Sequence, residues 1–359
     1  MRILYKVNEE VMKHFFSAIR FALNTRSNSS KGIQEEDFTV SLSGESVGVL
    51  KFFPANRTSF QGTILAINGM AYLGNKDPRF QAVCRGLASC GFLVFCPQMQ
   101  EISEFKIRLE SIEKIKQLIL KFSSDANVCP DGTISLLAPS FSASMGLIAA
   151  AAPQLEGKVK SILTIGAYGN VQTTLDYLMS AEGSDEYGRM ILLWNFVHFG
   201  IGENEEIRKA LHASILDGSF LRETPELPKV LDSIRPDNRE LFLKLKEDRE
   251  FRAEIWNKIV RNAGPFRSFL QDLQVDNKLE DLRAHVALIH GVSDNVVPAS
   301  ESGLILERLR ERDVPKDRSK LVLTPLISHG DIGITLRTLP AIFKLLSGFA
   351  FFFKHASRS

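Results

Sequence analysis

From residue 62 to 165 the chain alternates short apolar runs with longer segments whose apolar residues recur every three or four positions. The short runs cover 62–67, 92–95, 133–138 and 159–165; each has strand length and is bounded by turn residues. The segments 80–89, 109–122 and 144–152 read as helices. Strands that alternate with helices predict an α/β fold, a mostly parallel central sheet with helices on both faces. Two further strands, 38–42 and 48–53, precede this region. Before them, Val11, Met12, Phe15, Phe16, Ile19, Ala22 and Leu23 fall at helical spacing within 9–24, and a polar connector occupies 26–32.

The alternation stops near Gly169. As far as about Lys278 the chain reads almost wholly as helices, rich in charged and aromatic residues and broken by Pro225, Pro228, Pro236 and Pro265. It then resumes with a strand at 285–290, a helix at 301–311, a strand at 320–326 and a closing helix at 333–355. The expected layout is therefore a helix and linker (1–33), the first part of an α/β core (34–169), an inserted helical cap (170–283) and the second part of the core (284–359). The sequence contains no internal repeat and no low-complexity segment.

Composition narrows the classes. Hydrophobic residues make up 44% of the 359, ample for a core, and the formal net charge is only +2. No long block of one sign occurs, which argues against nucleic acid as a partner. The four cysteines, Cys84, Cys90, Cys96 and Cys129, form no CxxC pair and lie at no zinc-site spacing, so reduced, buried thiols and no metal are expected. A reducing compartment follows, and with no signal-peptide pattern the expected location is cytoplasmic. The longest apolar stretch, 339–353, is interrupted by Lys344 and falls short of the roughly 20 residues that span a bilayer. The 9–24 helix is expected to pack on the main body; a weak membrane-surface contact, shared with Phe349–Phe353, is the alternative.

The candidate chemistry centres on Ile134-Ser-Leu-Leu-Ala-Pro-Ser-Phe-Ser-Ala-Ser-Met-Gly146, a strand pattern that runs through small residues straight into a helix. Such a junction can hold a serine hydroxyl up at the sheet edge as a nucleophile. Ser140, Ser142 and Ser144 all have small residues two positions to either side. Element lengths favour Ser140, because a turn at Ser144 would put Pro139 inside a central strand and shorten the helix to about two turns. Ser142 and Ser144 stay open as alternatives, and taken alone the cluster reads more readily as a tight polar turn than as a nucleophile. A serine needs a base and a group to orient that base. His329, in Leu326-Ile-Ser-His-Gly-Asp, and Asp294, in His290-Gly-Val-Ser-Asp-Asn-Val-Val-Pro298, each follow a strand. They emerge at the edge of an open parallel sheet where ligands collect. The N–H of Phe141 and that of Met70, just past Asn68-Gly69, are candidate donors to a developing oxyanion.

These residues resemble the α/β-hydrolase superfamily. The resemblance covers 48–169 and 284–355 and rests on Ile67-Asn-Gly-Met-Ala, Ala138-Pro-Ser-Phe-Ser, Gly291-Val-Ser-Asp-Asn-Val-Val-Pro and Ser328-His-Gly. It implies Ser140 as nucleophile, Asp294 as triad acid, His329 as base, and Met70 with Phe141 as the oxyanion hole. It also implies no cofactor and a cap after the sixth strand. Two departures stand out: Ala138 and Ser142 replace the glycines of the elbow, and Asn68 replaces a frequent histidine. The expected activity is serine-esterase hydrolysis of a small, apolar acyl substrate. A thioesterase, amidase or acyltransferase on the same fold, and a non-catalytic binding protein, are the alternatives.

Overall fold

The computed structural model describes residues 2–219, 223–262, 264–311, 316–327 and 339–358. An N-terminal helix, α1 (Arg2–Ser27), leads into an antiparallel pair, β1 (Ile33–Leu42) and β2 (Glu45–Pro54). Then come β3 (Thr63–Ala66), α2 (Pro78–Ser89), β4 (Leu93–Pro97), a one-turn α3 (Gln100–Ser103), α4 (Glu110–Ser123), β5 (Ile134–Pro139), α5 (Phe141–Ala150) and β6 (Val159–Ile165). Between β6 and β7 (His285–Gly291) the chain is helical. The insertion comprises α6 (Val171–Ser180), α7 (Glu186–Phe196), α8 (His198–Ile201), α9 (Glu205–Gly218), α10 (Leu227–Ser233), α11 (Pro236–Glu247), α12 (Arg249–Asn262) and α13 (Gly264–Leu273). The chain closes with α14 (Ala299–Arg310), β8 (Ser319–Thr324) and α15 (Leu339–Ala356).

The eight strands form one sheet in the order β1-β2-β4-β3-β5-β6-β7-β8. β2 runs antiparallel to β1 and β4, and every pairing from β4 through β8 is parallel. The central strands are buried on both faces, so apolar residues fill most of their positions, as at 136–138 in β5 and 286–289 in β7. Within β7, Val286 and Leu288 join the core under α4, α5 and α14, while Ala287 and Ile289 join the core under α2 and α15. That is the period of two expected of a pleated strand. β1 is longer than the apolar pattern predicts because residues 34–37 are exposed edge residues with no buried face to fill.

α1 packs on α2 and α15, with Phe21 set edge-on against Phe349 and Phe353. Phe349, Phe352 and Phe353 are core residues, so they are not available to a surface patch. The exposed apolar residues of this face are Met12, Phe16, Leu23, Leu339 and Phe343. Among the described residues no helix is long and apolar enough to cross a membrane. All four cysteines are free and buried.

Strand order fixes where a site can form. From β3 the chain steps to β4 on one side, and β5 lies on the other. The loops leaving the carboxyl ends of β3 and β5 therefore diverge and open a crevice at the sheet edge, where α/β sheets bind ligands. Those two loops carry Asn68-Gly69-Met70 and Ser140.

Candidate active site

β5 ends at Pro139 and α5 begins at Phe141, so the whole turn from strand to helix is made at Ser140. Its backbone sits at φ 55° and ψ −137°, a conformation that L-residues rarely adopt. Such strain costs about 1–3 kcal/mol and persists only where the surroundings impose it. Here the Ser140 N–H donates to the Ile165 carbonyl at 2.6 Å, and the Ser140 carbonyl accepts from the Ala143 N–H at 2.9 Å. The next strand and the first turn of α5 thus pin the residue from both sides.

The other two serines are committed elsewhere. Ser142 is fully buried, and its hydroxyl donates to the Asn68 carbonyl at 2.6 Å. Ser144 is also buried; its Oγ donates to the Tyr168 carbonyl and accepts from the Tyr168 N–H, both at 2.9 Å. They fasten the β3 and β6 exit loops to α5. The elbow departures fit this arrangement. Ala138 lies where α5 offers Gly146, a Cβ on which would meet the Ala138 Cβ at 3.9 Å. Ser142 uses its hydroxyl to hold the β3 loop.

That loop reaches Ser140. A Cβ on Gly69 would lie 3.8 Å from the Ser140 Cβ and 3.6 Å from the Pro139 ring. The N–H of Phe141, as first residue of α5, has no partner inside its helix. Among the described residues neither it nor the Met70 N–H makes a hydrogen bond. Phe141 and Met70 both line the cavity with Ser140, and the helix N-terminus adds partial positive charge beside the serine.

Asp294 lies in the loop after β7. Its Oδ1 accepts from the N–H groups of Val296 and Val297, both at 2.9 Å, and its side chain is 15% exposed. Its Oδ2 approaches Gly166, the residue after Ile165: a Cβ there would lie 3.3 Å from that oxygen, and Gly166 has φ +70°. So the β6 exit separates Ser140 from Asp294. Behind the aspartate sits His290, fully buried, its Nε2 2.8 Å from the Val297 carbonyl and 3.6 Å from Asp294 Oδ2. Its Nδ1 is 2.7 Å from Ser302 Oγ.

His329 lies outside the described residues. The last residue described before it, Ile327, rests against Gly291, where any Cβ would collide with the Ile327 carbonyl. The chain therefore passes beside the Asp294 loop two residues short of His329. Of the seven histidines, the other six are described, and none lines the cavity above Ser140.

That cavity has a volume of about 820 Å³. Its floor includes Asn68, Gly69, Met70, Ser140 and Phe141; Asp294 is not on its wall. Its upper wall comes from the helical insertion, chiefly Val171, Leu175 and Leu178 of α6 and Tyr187, Met190, Ile191 and Leu192 of α7. Of the residues 190–199, Met190, Ile191 and Leu192 line the cavity. Leu193, Phe196 and Val197 are buried in the insertion itself, and Phe199 is exposed. Ile191 and Tyr187 were not legible as lining residues.

Two polar groups mark the walls. Tyr168, tilted on Phe141 at 5.7 Å, has a buried hydroxyl with no partner among the described residues, and burial pushes its ionisation far up. At the rim, burial works against the Asp77 carboxylate, but its bonds from Arg79 outweigh that and hold its pKa below the ordinary value. Among the described residues no cluster of His, Cys, Asp or Glu could hold a metal ion.

No model of a known protein family matches the sequence, and neither does any curated protein. Solved structures do match. A puromycin-hydrolyzing peptidase of Mycobacterium tuberculosis aligns with a TM-score of 0.50 at 11% identity, over 90% of this chain and 39% of that one. A dipeptidyl aminopeptidase IV-like protein of Bacteroides ovatus aligns at 0.49 and 12% identity, over 84% of this chain and 33% of its own. Est1E of Butyrivibrio proteoclasticus aligns at 0.46 and 14% identity, over 82% and 90%. This chain thus spans only a third to two-fifths of the two peptidase-like neighbours. The likeness is one of fold.

Proposed function

We propose that this chain, which has the α/β-hydrolase fold, is a serine hydrolase that cleaves an ester of an apolar acyl group. The main support is the Ser140 backbone. A strained φ of 55° at the one residue between strand and helix is what lifts a hydroxyl out of the sheet edge. Ser142 and Ser144 spend their hydroxyls on backbone groups, which leaves Ser140 to act on a ligand.

In this reading Ser140 Oγ attacks the substrate carbonyl carbon while His329 takes its proton. Asp294 Oδ2, on the carboxylate edge away from its two backbone bonds, orients the imidazole and stabilises its charged form. Asp294 acts through the histidine, in keeping with its place off the cavity wall. The N–H groups of Met70 and Phe141 receive the negative charge on the tetrahedral oxygen. The alkoxide leaves with the proton from His329, and water then attacks the acyl-enzyme with the same base. The cavity volume falls within the range for small-molecule sites, about 300–1,000 Å³. Its α6 and α7 walls suit an acyl chain, and the helical insertion serves as the cap.

The test is turnover of a p-nitrophenyl ester series from acetate to decanoate, with the acyl-enzyme trapped by acid quench and mapped by mass spectrometry. Acyl adducts on the peptide containing Ser140 are expected. Adducts on Ser142 or Ser144, or turnover that survives Ser140→Ala, would overturn the assignment.

A further inference from the structure

The helical insertion does more than roof the cavity: it reaches down to the β3 loop. From α7 the Tyr187 hydroxyl donates to the Met70 carbonyl at 3.3 Å. Burial pushes the Tyr187 ionisation well up, so the group stays a neutral donor. Its ring meets Phe105 edge-on at 5.9 Å, and Phe105 stacks on Tyr72 of the same β3 loop at 6.5 Å.

Phe105 is itself unusual. It is fully buried and has φ 60°, a left-handed conformation that a bulky residue adopts only under constraint. The constraint also comes from α7. The Asn195 amide donates to the Phe105 carbonyl at 2.8 Å and accepts from the Ile107 N–H at 3.1 Å. Tyr187 and Asn195 lie eight residues apart, about two turns, so they share one side of the helix. One helix face therefore grips two points of the core, the β3 loop and the strained Phe105 segment.

We infer that Tyr187 is a positioning residue for the oxyanion hole. Its bond to the Met70 carbonyl fixes the peptide that follows Met70. With that peptide held, rotation about the Met70 backbone is restricted, and the Met70 N–H stays aimed at the space above Ser140. The inference rests on the serine-hydrolase reading for its catalytic consequence, but the positioning itself is a property of the fold. It makes α7 a fixed arm of the active site, so any opening of the insertion must pivot on other helices.

Tyr187→Phe removes the hydroxyl and keeps the ring. Losing a neutral hydrogen bond of this kind is worth about fivefold, and losing an oxyanion donor outright about 10²–10³-fold. The variant is therefore expected to lose about 5- to 20-fold in kcat on p-nitrophenyl esters, with KM within twofold. Affinity for a trifluoromethyl ketone, which forms the oxyanion on the serine, should weaken by the same factor. In parallel, amide hydrogen exchange of residues 68–73 should speed up about fivefold while the thermal midpoint falls by only about 1–2 °C. Wild-type kcat together with wild-type exchange in Tyr187→Phe overturns the inference. If the wild-type protein turns over no ester and takes no serine-directed label, the hydrolase reading fails. The exchange comparison still decides the positioning.

Discussion

The three serines of the elbow should separate cleanly when stability and activity are measured on the same variants. Ser144→Ala leaves the Tyr168 N–H and carbonyl, both buried, without the Oγ that now pairs them. Orphaned buried groups cost about 1–3 kcal/mol each, so a net loss of about 2–4 kcal/mol is expected. Ser142→Ala orphans only the Asn68 carbonyl, for about 1–2 kcal/mol. Ser140→Gly runs the other way. It releases about 1–3 kcal/mol of strain at φ 55° and returns part of it as backbone entropy, leaving a gain of about 0.5–2 kcal/mol. For 359 residues the unfolding entropy near 60 °C implies a shift of about 1.3 °C in thermal midpoint per kcal/mol. Differential scanning calorimetry should thus find Ser144→Ala lower by about 3–5 °C, Ser142→Ala lower by about 1–3 °C, and Ser140→Gly higher by about 1–3 °C. Esterase assays on the same samples should find activity abolished only in Ser140→Gly. The reasoning is refuted if Ser140→Gly destabilises as much as Ser144→Ala, or if Ser144→Ala abolishes turnover with its midpoint unchanged.

Three further outcomes are expected. Asp294→Asn keeps an Oδ1 to accept the Val296 and Val297 N–H groups but loses the charge proposed to orient His329. Its kcat should fall about 10²–10⁴-fold with little loss of stability, and near wild-type kcat would remove Asp294 from the triad. Gly166→Ala puts a Cβ 3.3 Å from Asp294 Oδ2 at a φ of +70°, so it should destabilise by about 1–2 kcal/mol and lower kcat with unchanged KM; a stable, fully active variant would contradict that geometry. At the far end of the sheet His285 and His355 stack 3.6 Å apart, and burial, then the neighbouring imidazole, lowers His355 to about 4. The folded pKa lies below that of the unfolded chain, about 6.5. The unfolded state therefore binds more protons between the two values, and stability should decline as pH falls from about 6.5 to about 4. His355→Gln should flatten that decline in denaturant titrations at pH 7, 5.5 and 4.5; an identical slope would show that the pair does not titrate this way.

What could be read from the residues follows from where each contact lies. The central strands were legible because burial on both faces demands mostly apolar residues, as at 136–138 in β5 and 286–289 in β7. Pro139 and the element lengths moved the turn to Ser140, and φ 55° there agrees. Other features depend on partners far along the chain. Tyr187 meets Met70 across 117 residues, and Asn195 meets Phe105 across 90. Nothing local in either segment signals the other. The tasks of Ser142 and Ser144 were hidden for a related reason: their partners are backbone carbonyls, which every residue carries. The polar start of β1 carries no strand signal because an edge strand has no buried face to declare itself.

The central claim is that the Ser140 hydroxyl is the nucleophile of a working serine hydrolase. Labelling the intact protein with a fluorophosphonate, followed by peptide mapping, tests it most directly. The account predicts one label per chain on Ser140, full labelling of Ser144→Ala and none of Ser140→Ala. An unlabelled wild-type protein, or a Ser140→Ala variant that labels as fully as wild type, would contradict it.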